Sequence, residues 1–125
     1  MNDFYLEATP KTPKLHFNKE NGEFEISGRS IPENSIEFYK PVINWLDNYI
    51  EEPHADTLLV IKLEYFNTSS SKCLVEILRR LERLNSSHKV EVKWCYEEED
   101  EDMQESGEDF KEIIKLPIEM VIISD

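Results

Sequence analysis

The chain has 125 residues, of which 39% are hydrophobic and 33% are charged, a composition typical of one folded domain and not of a disordered chain. Its 14 Lys and Arg residues are outnumbered by 27 Asp and Glu residues, so the formal net charge is −13. Nucleic acids and anionic membranes are therefore disfavoured as partners, because binding to them depends on cationic side chains.

The sequence predicts neither export nor a membrane span. Its first residues include Asp3 and Glu7 and lead into no apolar segment, and the longest apolar runs, 58–61 and 120–123, are far shorter than the roughly 20 residues that a bilayer requires. Cys73 and Cys95 form no Cys-x-x-Cys pair, so neither a disulfide framework nor a zinc site is indicated. We expect one cytoplasmic domain over residues 1–125, with both cysteines buried and no cofactor.

The first half of the chain predicts a hairpin and then a helix. Residues 15–17 and 24–26 flank Asn21-Gly22, a pair that can supply the positive φ angles of a tight turn. Helix-start residues at 32–35 precede apolar residues at helical spacing: Phe38, Val42, Trp45, Leu46 and Tyr49. Pro41 lacks an N–H group, so it should either kink this helix or move its first turn beyond Ser35.

The second half alternates strands with helices. Residues 57–66 predict a central strand covered on both faces, and 90–96 and 118–123 predict two further strands. Helices are predicted at 102–114 and over a stripe of apolar residues: Cys73, Leu74, Ile77, Leu78, Leu81 and Leu84. The predicted fold is α/β, with three helices and a mixed, mostly parallel five-stranded sheet in the order ββαβαβαβ.

No catalytic or metal site is predicted. Gly22, Gly28 and Gly107 are too dispersed to form a phosphate-binding loop or a dinucleotide fingerprint. The three histidines lie far apart, and none has a partner at metal-ligand spacing.

A strongly acidic segment covers residues 97–112, where ten of the sixteen side chains are acidic and one is basic. Neither register of an EF-hand loop fits it. Three interpretations remain open: a solvated helix start, adventitious cation binding, or an acidic surface for a protein partner. Asp100, Asp102 and Glu105, together with Arg29, are candidates for such a partner surface.

The most informative segment is Asn67-Thr68-Ser69-Ser70-Ser71-Lys72, which follows the predicted central strand and begins a helix. One side-chain oxygen there can cap a free backbone N–H group, which is a purely structural role. A phosphate would also be favourable, because it would lie against the helix dipole and free backbone donors. It would add a charge of about −1.5 to −2 to a neutral surface.

Four segments in the same order, 25–34, 38–46, 65–72 and 96–110, resemble the SiaC family of bacterial regulatory phosphoproteins. The resemblance implies a fold similar to the STAS domains of anti-sigma-factor antagonists. It also implies that Thr68 is the phosphoacceptor, with Asn67, Ser69, Ser70, Ser71 and Lys72 around it.

The resemblance further implies a partner-switching circuit. A kinase related to anti-sigma factors phosphorylates Thr68, and a PP2C-type phosphatase removes the phosphate. The unphosphorylated form binds and activates a diguanylate cyclase, which promotes c-di-GMP synthesis and biofilm formation. On this basis we expect a noncatalytic protein that is monomeric when free.

Two alternatives remain from the residues alone. In the first, the protein is a constitutive STAS-like scaffold whose hydroxyls only cap the helix. In the second, it is a small metal-assisted enzyme that uses the acidic segment 97–112.

Overall fold

The computed structural model describes residues 2–123, which form one six-stranded sheet and three helices. The helices are α1 (Ser35–Glu51), α2 (Thr68–Leu84) and α3 (Glu101–Ile113). The strands are β1 (Phe4–Leu6), β2 (Lys14–Phe17), β3 (Glu23–Ser30), β4 (Asp56–Phe66), β5 (Lys89–Glu97) and β6 (Ile118–Ile123). They lie in the sheet in chain order; β1–β2 and β2–β3 are antiparallel, and the other three pairs are parallel.

The α/β class and the three helices are confirmed, but the prediction of five mostly parallel strands is wrong. The additional strand is β1, whose three residues are too few to show an alternating pattern. It pairs with β2, and the backbone around it is held by two contacts: Trp45 Nε1 donates to the Asn2 carbonyl at 2.7 Å, and the Lys19 amide donates to Asp3 at 3.1 Å. The predicted hairpin is β2–β3, although only Gly22 of its loop has a positive φ, of 71°.

All three helices lie on one face of the sheet, and within residues 2–123 no helix covers the other face. Along each strand, successive side chains point alternately to the face covered by helices and to the opposite face. One row is buried against the helices: Phe17, Phe24, Leu59, Val92 and Ile118. The next row is half-buried or exposed: His16, Glu25, Val60, Lys93 and Glu119. The prediction that β4 is covered on both faces is therefore wrong, although β4 does lie inside the sheet.

Helix α1 begins at Ser35, with Asn34 as its N-cap, and it continues through Pro41. The alternative in which the proline moves the first turn beyond Ser35 is therefore wrong. The buried stripe also differs from the predicted one, because Tyr39 is fully buried while Phe38 and Trp45 are only half-buried.

The predicted stripe of α2 is confirmed, since all six of its apolar residues are buried. Helix α3 packs on β5 through Trp94, whose indole N–H donates to the Met103 carbonyl at 2.9 Å. A Cβ atom at Gly107 would lie only 2.5 Å from the Trp94 ring, so glycine allows this close approach. Both cysteines are buried, as expected.

A β-bulge near the end of β4 sets the position of α2. Gly28 of β3 pairs with Leu63, whereas Arg29 pairs with Tyr65, so Glu64 is an extra residue that reverses the alternation of side chains. Tyr65 consequently lies beside Arg29 and is 52% exposed, while the Phe66 ring packs near Trp94. Beyond the bulge, Ser30 pairs with Phe66, so the residues after β4 lie beside the end of β3.

Candidate functional site

The hydroxyl-rich segment forms the junction between β4 and the first turn of α2. Asn67 is the N-cap, and its side-chain oxygen accepts a hydrogen bond from the Ser70 amide at 2.9 Å. The backbone N–H group of Asn67 donates to the Ser30 carbonyl at 3.0 Å, which connects the junction to the end of β3. The capping group is thus the side chain of Asn67, so the expectation that the hydroxyl groups of the segment cap α2 is wrong.

The four hydroxyl side chains of the segment have different environments. Ser70 is fully buried and donates to the Ser30 carbonyl at 3.1 Å. Ser69 is exposed, but its hydroxyl lies 2.7 Å from that of Ser35. Ser71 is half-buried. Thr68 is exposed, and its hydroxyl makes no hydrogen bond within residues 2–123, so of the four it alone is both exposed and free of such bonds.

A network of hydroxyl groups lies directly beneath this turn. Ser30 Oγ lies 2.6 Å from the Tyr39 hydroxyl and donates to Ser70 Oγ at 2.8 Å, while Ser35 Oγ lies 3.3 Å from Ser70 Oγ. Because the single proton of Ser30 is directed to Ser70, Tyr39 must donate to Ser30. The network joins the end of β3, the start of α1 and the start of α2.

Burial is the main cause that raises the pKa of Tyr39 to about 12. The phenol therefore stays protonated and remains a donor at neutral pH. Every described side-chain polar atom that is fully buried has a hydrogen-bond partner, so the network is complete within the protein.

Ser30, Ser35 and Tyr39 were not predicted as site residues. In β3, Ser30 lies an even number of residues from the buried Phe24 and Ile26, so it is expected on the same face of the strand. A polar residue on this apolar face is the one feature of the sequence that could have indicated a role for Ser30. Ser35 and Tyr39 are one helical turn apart on the buried stripe of α1, but the sequence does not reveal which hydroxyls they meet.

The start of α2 differs electrostatically from the starts of the other two helices. The first turn of α1 contains Glu37, and that of α3 contains Glu101 and Asp102, whereas the first turn of α2 has no acidic residue. Lys72 lies on the exposed side of α2, one turn beyond Thr68. Among the helix starts in residues 2–123, this one best accommodates an added anion, because its first turn contains no carboxylate that would repel the anion.

The four residues suggested as a partner surface do not form one contact cluster. Asp100 is the N-cap of α3 and accepts from the Met103 amide at 3.0 Å, and Asp102 and Glu105 are exposed on that helix. Arg29 is exposed at the end of β3, two strands away from β5. The described residues contain no ion pair between Arg29 and an acidic side chain of α3.

Within residues 2–123, no three His, Cys, Asp or Glu side chains are arranged to hold a metal ion. Over the same residues, no helix has the length and apolar character needed to cross a membrane. A surface depression beside Trp45, Glu51 and Glu52 lies at the end of α1, away from the start of α2.

Comparison with known proteins identifies several similar chains. In Pseudomonas aeruginosa strain UCBPP-PA14, a protein described as uncharacterized is 31% identical over 118 residues, which cover 94% of each chain. The crystal structure of apo-SiaC from P. aeruginosa has a TM-score of 0.88 and 30% identity, covering 97% of this chain and 99% of the other. A chain in the crystal structure of the diguanylate cyclase SiaD with its activator SiaC has a TM-score of 0.90 and 30% identity, covering 97% and 100%.

A model of the SiaC family of regulatory phosphoproteins matches residues 6–123. This match includes all three helices and most of the sheet, and it contains the junction between β4 and α2. The chain therefore belongs to the SiaC family of regulatory phosphoproteins.

Proposed function

We propose that this protein is a noncatalytic partner switch whose state is set by phosphorylation of Thr68. The observation that carries the proposal is the exposed Thr68 hydroxyl, which makes no hydrogen bond within residues 2–123. The absence of an acidic residue in the first turn of α2 supports the same site, because a phosphate there meets backbone donors and no neighbouring carboxylate.

Three protein partners follow from this proposal. A kinase related to anti-sigma factors adds the phosphate, and a PP2C-type phosphatase removes it. The unphosphorylated form binds and activates a diguanylate cyclase, which raises c-di-GMP and promotes biofilm formation. The similarity to the SiaC chain of the SiaD complex, named there as the activator of that cyclase, supports the last partner.

We further propose a cytoplasmic protein that is monomeric when free and has a STAS-like fold. Arg29, Asp100, Asp102 and Glu105 remain our candidates for partner contacts, although no ion pair within residues 2–123 joins Arg29 to the acidic side chains of α3. The scaffold alternative is less well supported, because Asn67 already caps α2 and leaves Thr68 with no capping role.

The decisive experiment is phosphorylation of the purified chain by its kinase with ATP. We expect the intact mass to rise by one phosphate and tandem mass spectrometry to place that phosphate on Thr68. Thr68→Ala should remain unmodified, and the phosphatase should restore the original mass of the wild type. An unmodified wild type, or phosphate only on other residues, would refute the proposal.

A further inference from the structure

We propose that the hydroxyl network beneath α2 directs phosphoryl transfer to Thr68 by engaging the hydroxyl groups of Ser69 and Ser70. The inference rests on the proposed function, since it concerns the selectivity of the same modification. It assigns a positioning role to Ser30 and Ser35, which lie outside the hydroxyl-rich segment.

The kinase must distinguish Thr68 from its neighbours, because four consecutive residues, 68 to 71, carry hydroxyl groups. In the transfer, the acceptor oxygen forms a bond to the γ-phosphorus of ATP. The bond from that phosphorus to the bridging oxygen breaks, ADP leaves, and the hydroxyl proton passes to a base of the kinase. The acceptor oxygen must therefore be reachable, with its proton and a lone pair free to react.

Ser70 meets neither condition. It is fully buried, its proton is directed to the Ser30 carbonyl at 3.1 Å, and its oxygen accepts from Ser30 Oγ at 2.8 Å. Tyr39 holds Ser30 in this position through the contact of 2.6 Å. Attack by Ser70 would require the first turn of α2 to separate from β3.

Ser69 is exposed, so burial alone does not exclude it. Its hydroxyl donates to Asn67 Oδ1 at 3.2 Å and lies 2.7 Å from Ser35 Oγ. Since Ser69 directs its proton to Asn67, Ser35 is the donor in the shorter contact. The proton of Ser69 and one of its two lone pairs are thus engaged. Of its two partners, Asn67 is the N-cap of α2, whereas Ser35 belongs to α1.

Thr68 is the only one of the four that is exposed and makes no side-chain hydrogen bond within residues 2–123. Ser71, the other hydroxyl without such a bond, is half-buried. The network therefore leaves Thr68 as the favoured acceptor without making any contact to its hydroxyl.

The test maps phosphate by tandem mass spectrometry after the full-length chain reacts with its kinase and ATP. Wild type should carry phosphate on Thr68, and Ser35→Ala should raise the fraction of phosphate on Ser69 at least tenfold. Ser35→Thr keeps the hydroxyl and should restore selectivity for Thr68. A second variant, Thr68→Ala, keeps the network and should incorporate less than a tenth of the wild-type phosphate.

A matched control removes a buried hydroxyl elsewhere. Thr57 is 2% exposed, like Ser35, and its hydroxyl lies 2.8 Å from that of Tyr49. It lies near the start of β4, whereas Thr68 follows the end of that strand. Thr57→Val should therefore lose stability yet keep all phosphate on Thr68. This control separates a change in selectivity from a general loosening of the fold.

Two results would overturn the inference while the proposed function stands. One is a Ser35→Ala product modified only on Thr68, and the other is rapid modification of Ser69 or Ser70 in Thr68→Ala. A wild type without phosphate on Thr68 would overturn the proposed function and, with it, this inference.

Discussion

At the scale of single residues, Asn67 and the proposed phosphoacceptor Thr68 differ in what they contribute to the fold. Asn67 satisfies a free amide of α2, whereas the Thr68 side chain makes no hydrogen bond within residues 2–123. A residue that contributes little to the fold can be modified or replaced without unfolding the protein. The cap beside it cannot be changed so freely.

We expect Asn67→Ala to lower the free energy of unfolding by about 1 kcal/mol, because the Ser70 amide loses its acceptor. Thr68→Ala should change it by less than about 0.5 kcal/mol. Asn67→Asp keeps an acceptor oxygen and should stay close to the wild type. Urea unfolding measures all three; equal losses in Asn67→Ala and Thr68→Ala would contradict the assignment of the cap.

Substitutions at Thr68 test whether a negative charge there weakens or strengthens binding of the proposed cyclase partner. The chain carries a formal charge of −13, so if the cyclase docks at Thr68 as proposed, a further negative charge there should oppose its binding. We expect Thr68→Asp to weaken that binding at least tenfold, or about 1.4 kcal/mol. Thr68→Ala should bind as the wild type does.

Thr68→Asn is the matched control, because asparagine has nearly the shape of aspartate without its charge. Titration calorimetry with the purified cyclase gives the affinities, and circular dichroism confirms folding. If Thr68→Asp binds as tightly as Thr68→Asn, charge at this position does not operate the switch.

At the scale of secondary-structure elements, the packing of α3 depends on the missing side chain of Gly107. An added Cβ atom would approach Trp94 Cδ1 to 2.5 Å and Met120 Cε to 2.7 Å. Trp94 is buried and its indole is held by the Met103 carbonyl, so it cannot easily move away.

We expect Gly107→Ala to lower the free energy of unfolding by roughly 1–3 kcal/mol, because overpacking outweighs the gain in helix propensity of about 1 kcal/mol. Ser106→Ala, one residue earlier on α3, should have no such cost. Thermal unfolding followed by circular dichroism compares the two. A Gly107→Ala protein more stable than the wild type would show that α3 can shift away from β5.

The elements that sequence reasoning located well are those with a clear period. The apolar stripe of α2, the limits of β6 and the start of α3 near Asp100 all follow from residue spacing and helix-capping chemistry. The errors have physical causes. Strand β1 is too short to show a period, and the exposure of the second face of β4 depends on the absence of a neighbouring layer, which a local pattern does not encode.

The candidate site could be predicted only in part, because some of its contacts join residues that are far apart in the chain. The position of the hydroxyl-rich segment before α2 could be read from neighbouring residues. Its connection to Ser30 and Ser35 depends on contacts between residues that are 40 and 34 positions apart in the chain. The choice of Asn67 as the cap also depends on the backbone conformation that β4 imposes, with ψ of 171°.

At the scale of the whole molecule, Glu82 connects α2 to the segment between α3 and β6. Its carboxylate accepts a hydrogen bond from the Lys115 amide at 2.5 Å and pairs with Arg79 at 3.3 Å. The Lys115 amide is the main cause that holds the pKa of Glu82 below its ordinary value of 4.5, and Arg79 acts in the same direction.

Because the folded-state pKa of Glu82 is lowered, its contribution to stability is present above pH 4.5 and is lost as the pH falls through the folded-state value. We expect Glu82→Gln to be less stable than the wild type at pH 7, with a smaller difference at about pH 3. Urea unfolding at both pH values gives the comparison. A difference that is independent of pH would show that the charge of Glu82 is unimportant.

The order of the strands in the sheet also bears on how the chain folds. Since every strand pairs with its neighbours in sequence, no strand must wait for one synthesised much later. Glu23 can meet Leu58 as soon as β4 emerges from the ribosome, and Asp56 can then meet Lys89. The sheet can thus grow in one direction, from β1 towards β6, with a single unfinished edge at each stage of synthesis. Within residues 2–123, no pairing skips over a strand that lies between its two partners in the sequence.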